Sequence, residues 1–168
     1  MRAIDVANAL IADYGAVGFI TNMKLNKLVY FAYADDLARG VPSFEAAFEA
    51  WQYGPVEPTV YHAFKSNGSS RILSPSDTNV PKGAHEVAAR VWNKFGELTA
   101  IDLMKLSHRD GGAWAACYTG HSDGARITDH AIRKSGDGLL SEPSGSFSQA
   151  IDAASARWSN VLDRLSNS

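Results

Sequence analysis

A chain of 168 residues, 45% hydrophobic and 20% charged, is long enough to bury a real core and is expected to fold as one domain over residues 1–168. A net charge of -2 disfavours nucleic acid, which wants a basic face, and no apolar run approaches the roughly 18 to 20 residues of a membrane span. The single cysteine, Cys117, excludes an intrachain disulfide and a multi-thiolate zinc site and fits a reducing cytoplasm, the expected location.

Ile4, Ala7, Leu10, Ile11 and Tyr14 recur at helical spacing, which predicts a first helix over 3–14 with Gly15 as a left-handed stop. Thr21 or Asn22 can cap a second helix. Its stripe is Leu25, Leu28, Val29, Ala32 and Leu37, and Gly40 with Pro42 ends it. Lys24 and Lys27, three apart, read as a small basic flank in solvent, available to a partner. Phe48 to Tyr53 is short, aromatic and bounded by Gly54-Pro55, which predicts a strand. Pro58 suits the first turn of a third helix carrying Val60, Tyr61 and Phe64, stopped at Asn67-Gly68.

Residues 66–83 are rich in Ser, Pro, Asn and Gly and read as a loop, in which Ile72 and Leu73 are expected to pair with the strand at 48–53. Ala84, Val87, Ala88, Val91 and Phe95 mark a fourth helix, and Thr99 to Asp102 forms a capping-box opening for a fifth. A short sixth helix is expected over 112–118, then glycine- and serine-rich loops at 119–126 and 135–145 around a helix near 128–134. A second capping box, Ser146 to Gln149, opens a final helix with Ile151, Ala154, Trp158, Val161, Leu162 and Leu165 on one face. The fold class is therefore mainly α: a single-domain helical bundle with a small two-stranded β element. The strand–helix alternation of a doubly wound sheet is missing.

Few segments carry catalytic chemistry. Gly120-His121-Ser122-Asp123-Gly124 matches the G-x-S-x-G nucleophile elbow, which would make Ser122 the nucleophile of a small serine hydrolase. The elbow needs a strand before it and a helix after it, whereas "GAWAACYT" reads as helix and "GARIT" as no helix. The five histidines include no i, i+4 pair, so no metal site is expected, nor any cofactor, since no phosphate loop is present. Ser107-His108-Arg109-Asp110 is polar between apolar helices. It reads as a partner-binding loop or as a cap in which Ser107 or Asp110 serves the start of the sixth helix. The stretch "FEAWQYGPVEPTVYHAF" has two readings of the same kind. It is a structural knuckle, with Gly54 turning the chain, Pro55 fixing the next dihedral and Pro58 starting a helix. It is equally a holder of aromatics, Trp51, Tyr53 and Tyr61, at a surface where such residues dominate binding.

Three blocks in order, "MKLNKLVYFAYADDLARG", "FEAWQYGPVEPTVYHAF" and "LMKLSHRDGGAWAACY", resemble the Panacea-domain family, which includes SocA-like antitoxins and phage-associated GepA-like proteins. Lys24, Leu25, Lys27, Leu28, Tyr30 and Ala32 match the first block. Trp51, Tyr53, Gly54, Pro55, Val56, Pro58, Val60 and Tyr61 match the second, and Leu106, Ser107, His108, Asp110, Gly111 and Trp114 the third. The chain departs from the pattern at Gly112-Ala113, where the family often has a proline and one residue fewer, and the tail from about 119 carries no alignable motif. The resemblance implies a helical antitoxin of a bacterial or phage toxin–antitoxin system that binds a cognate toxin and has no enzymatic activity. It also implies an alternative, since one branch acts as an adaptor delivering its toxin to an ATP-dependent protease. The partner-binding candidates are then Lys24, Lys27, Trp51, Tyr53, Tyr61, His108, Arg109, Asp110 and Trp114, with Gly54, Pro55, Val56, Pro58 and Gly111 as structural motif residues.

Overall fold

Helix α2, Asn22–Ala38, is the axis on which the other elements pack. The computed structural model describes residues 1–120 and 124–141, so the final helix expected over 146–165 and the residues His121, Ser122 and Asp123 lie outside the described residues. The Thr21 side chain caps α2 by accepting the Lys24 N–H at 3.2 Å. Helix α1 (Ala3–Tyr14), α4 (Lys82–Phe95), α5 (Ala100–Ser107) and a 3-10 turn at Asp137–Ser141 all pack on α2. A helix enclosed this way buries its polar positions along with its apolar stripe. Lys24, Asn26, Lys27, Asp35 and Asp36 are accordingly buried, and the solvent-facing basic flank expected for Lys24 and Lys27 is corrected.

The buried carboxylates on α2 find partners on α4 and at the C-terminal end of α2 itself. Asp35 accepts from Lys94 at 2.7 Å and Arg39 at 2.9 Å, and Asp36 accepts from Arg90 at 2.6 Å. Burial alone would raise the Asp35 carboxyl, but the hydrogen bonds and charge of Lys94 and Arg39 outweigh it and hold the group below its ordinary value. In the core Tyr30 meets Phe48 edge-on at 5.2 Å, and Phe31 stacks on Phe95 at 4.9 Å. The Thr99–Asp102 capping box opens α5 as expected. Gly15 ends α1 with φ -57, a right-handed conformation rather than the left-handed stop, and its N–H donates to the Ile11 carbonyl at 2.9 Å.

The sheet has three strands, β1 (Phe48–Trp51), β2 (Gly54–Val56) and β3 (Ala125–Ile127), in the order β2-β1-β3 and antiparallel throughout. The expected pairing of Ile72 and Leu73 with β1 is corrected, because both sides of β1 are taken by other strands. The Ile72 N–H instead donates to the Ile20 carbonyl at 2.8 Å. Three short helices complete the described fold: α3 (Pro58–Phe64), α6 (Ala113–Cys117) and α7 (Asp129–Ser135).

Candidate partner-binding site

The β1–β2 hairpin turns on Gln52 and Tyr53, and Trp51 pairs with Gly54 across it. Among the described residues no side-chain-bearing residue has positive φ, so the reversal falls on Gly54, at φ +104. Gly54 also has no room for a side chain: a Cβ would lie 2.7 Å from Lys27 Cε and 2.7 Å from Ser107 Oγ. The close approach lets the Lys27 ammonium donate to the Pro55 carbonyl at 2.9 Å. Pro55 lacks an N–H and tolerates its place on an edge strand.

Side chains of α2 also hold α3 and the residue that caps it. Asn26 Oδ1 accepts the Glu57 N–H at 3.1 Å, and Asn22 Nδ2 donates to the Tyr61 carbonyl at 3.1 Å. The Glu57 carboxylate accepts the Val60 N–H at 2.8 Å, which caps α3 with Pro58 in its first turn.

The third sequence block closes the other side. The Trp114 indole donates to the Trp51 carbonyl at 2.8 Å, and His108 stacks on Trp114 with ring centroids 3.6 Å apart. Burial, with the Lys27 charge nearby, pushes the His108 imidazole down to about 3, so it is neutral at pH 7. Burial likewise lowers the Lys27 amine to about 7. The cap expected from Ser107 is corrected: its hydroxyl donates to the Met104 carbonyl at 2.8 Å, and Asp137 accepts the Ala113 N–H at the start of α6 at 3.2 Å. Asp137 also accepts from Tyr30 Oη at 2.5 Å and Arg109 Nη2 at 2.7 Å. Sequence reasoning missed Asp137, because nothing local in a glycine- and serine-rich loop signals a carboxylate shared by α2 and the 107–113 segment.

The candidates thus separate into a base and a rim. Lys24, Lys27, His108 and Trp114 are buried with Gly54, Pro55 and Val56, so the reading of these four as exposed contact residues is corrected. The reason is enclosure by α4, α5 and the hairpin. Lys24 lies apart from the others, donating to the Gly96 carbonyl at 2.8 Å beneath the Trp92 ring. Trp51, Pro58, Tyr61 and Arg109 are half-buried, and Tyr53, Asp110 and Gly111 are exposed. Trp51 and Tyr61 meet edge-on at 4.8 Å. They form part of a groove of about 400 Å³, lined also by Asn22, Met23, Lys27, Tyr53 and Lys65, a volume within the range of small-ligand pockets.

A family model described as antitoxin SocA-like, Panacea domain, matches residues 25–115. The chain belongs to this family. Antitoxin SocA of Caulobacter vibrioides (strain NA1000 / CB15N) is 33% identical over 151 residues, covering 76% of this chain and 78% of the relative. No solved structure matches the chain. The span matched by the Panacea-domain model runs from Leu25 in α2 through the knuckle to the third block, the parts that interlock around Lys27, Gly54 and Trp114. The G-x-S-x-G segment falls outside it. The described flanks of that segment are a helix, α6, on the N-terminal side and a strand, β3, on the C-terminal side, the reverse of an elbow. Sequence reasoning also passed over Phe19 and Leu73, apolar residues 65% and 68% exposed on either side of the Ile20–Ile72 hydrogen bond. Their exposure has no signature in sequence spacing.

Proposed function

We propose that this protein is an antitoxin that neutralises a cognate toxin in the cytoplasm by direct protein–protein binding and catalyses no reaction. Family membership supports the antitoxin role. The observation that carries the binding reading is the knuckle groove. Its aromatic rim of Trp51, Tyr53 and Tyr61 stands on a base fixed by Lys27, Asn26, Asn22 and Trp114. Aromatics on a rigid base lose little conformational entropy on docking, and such residues supply most of the energy of protein interfaces. A stable inhibitory complex buries about 1,200–2,000 Å², so the groove would be one part of a larger contact.

The experiment is co-expression with the toxin encoded beside the gene. The expected result is a complex that survives size-exclusion chromatography, with rescue from toxicity retained in a host lacking its ATP-dependent proteases. A toxin that never co-purifies, with rescue lost in that host, would replace occlusion by delivery to a protease. A Ser122→Ala variant is expected to rescue as well as the unaltered protein. Loss of rescue by that variant with an unchanged melting curve would contradict the non-catalytic reading.

A further inference from the structure

Among the described residues, the walls of the knuckle groove include two lysines, Lys27 and Lys65, and no aspartate or glutamate. The imbalance is local, because the chain as a whole has 18 acidic residues against 16 basic ones. Glu49, which accepts the Trp51 indole N–H at 2.8 Å, is not one of the lining residues. Elsewhere Arg90 is matched by Asp36, Lys94 by Asp35 and Arg109 by Asp137, while Lys24, like Lys27, has a carbonyl as its acceptor, that of Gly96. Among the described residues neither Lys27 nor Lys65 takes part in an ion pair. Lys27 is 1% exposed, and its amino group has the Pro55 carbonyl as acceptor. A carbonyl satisfies one of the three ammonium donors and supplies no counter-charge.

We propose that the groove receives an acidic side chain of the toxin, with the exposed Lys65 as its counter-ion, the buried Lys27 beneath the groove adding positive charge, and the Trp51–Tyr61 pair packing the residue beside it. This deepens the binding reading given above and rests on it. An apolar occupant would take water from the exposed Lys65 ammonium, which has no ion pair among the described residues, and a basic occupant would add repulsion. A carboxylate reverses both effects, and the half-exposed rings flanking it suit an apolar or aromatic neighbour. A second copy of this chain and a free small carboxylate are the competing occupants.

The test uses the full chain and the toxin encoded beside it, with three variants. Lys65→Glu reverses the exposed charge of the groove, and Lys134→Glu makes the same change at an exposed position on α7 outside it. Tyr53→p-benzoylphenylalanine places a photocrosslinker on the rim. The expected results are roughly tenfold or greater weakening of toxin affinity by Lys65→Glu with an unchanged melting curve, and less than about twofold by Lys134→Glu. The crosslinked toxin peptide should contain Asp or Glu at the attachment site. Equal effects of the two charge reversals, a silent crosslinker in a complex that still forms, or a crosslink to a second antitoxin copy would each overturn the groove assignment while leaving direct binding intact. Absence of any complex would instead refute the proposed function and this inference with it.

Discussion

Replacing Gly54 by alanine perturbs the knuckle in two separable ways. A φ of +104 lies outside the conformations that side-chain-bearing residues accept, and holding alanine there costs about 1–3 kcal/mol. The new Cβ would also sit 2.7 Å from Lys27 Cε, 2.7 Å from Ser107 Oγ and 3.1 Å from Lys27 Nζ. Lys27 is fully buried and cannot swing into solvent, so relief requires giving up its hydrogen bond to Pro55, worth about 1–2 kcal/mol. The sum is about 2–5 kcal/mol. In a domain of this size each kcal/mol moves the midpoint by about 2–4 °C, which predicts a fall of roughly 4–20 °C in a thermal melt followed by circular dichroism. Gly40→Ala is the control: φ there is +127, and a Cβ would meet nothing within 4 Å, so it carries strain without collision. The excess of Gly54→Ala over Gly40→Ala isolates the contact with Lys27. A Gly54→Ala melt within about 2 °C of the unaltered protein would refute both parts, and a melt equal to that of Gly40→Ala would refute the collision.

Three further outcomes are expected. Asp137→Ala leaves the Arg109 guanidinium without its carboxylate and the Tyr30 hydroxyl without its acceptor, and should lower stability in urea titration by about 3–5 kcal/mol. Lys27 has a folded-state value of about 7 against 10.5 when exposed, so the unfolded chain binds the extra proton between those values and stability rises with pH across that window. Relative to Lys27→Met, the unaltered protein should gain roughly 3 kcal/mol between pH 7 and 10, and parallel pH profiles would contradict the assignment. His108, near 3 when folded and 6.5 when exposed, favours its neutral form in the native state. Its contribution is present above pH 6.5 and is lost as pH falls toward 3, by about 3 kcal/mol at pH 4. His108→Phe should therefore flatten the acid limb of the stability profile, and an unchanged limb would exclude His108 as its source.

The helices were legible in the sequence wherever one side of a segment faces water. The periodicity of α1 and α4 and the Thr99–Asp102 box of α5 are local signals with local causes. Helix α2 was located correctly but given a solvent face it does not have. Charge on a helix ordinarily marks the surface, and what buries Lys24 and Lys27 is a pair of carbonyls, Gly96 and Pro55, 72 and 28 residues away. Strand β3 was hidden for a related reason. Ala125, Arg126 and Ile127 show no alternation long enough to detect, and their extended form comes from pairing with β1. Asp137 is likewise defined only by what the chain brings to it. The aromatic rim of the groove was visible because Trp51, Tyr53 and Tyr61 flank a Gly-Pro turn whose geometry sequence chemistry specifies.

Trp51 is where base and rim meet, and it permits the two to be separated. Its carbonyl accepts the Trp114 indole N–H at 2.8 Å, a bond that belongs to the backbone and survives any side-chain truncation. Its own ring faces outward in part, donating to Glu49 at 2.8 Å and meeting Tyr61 edge-on at 4.8 Å. Trp51→Ala therefore removes one of the three rim aromatics and leaves the hairpin tied to α6. The lost ring contact and indole hydrogen bond should cost on the order of 1–2 kcal/mol of stability, because both are half-exposed. If the ring is a centre of the toxin contact, binding should weaken by about 2 kcal/mol or more, roughly thirtyfold. Gly54→Ala, acting on the base, should reduce stability and binding together. Trp51→Ala should reduce binding with a much smaller change in the melt. Toxin affinity by calorimetry and thermal midpoints for the two variants decide the matter. If Trp51→Ala binds the toxin as tightly as the unaltered chain, the rim is ornament to the fold and the contact lies elsewhere, with the exposed Phe19 and Leu73 face the next to be substituted.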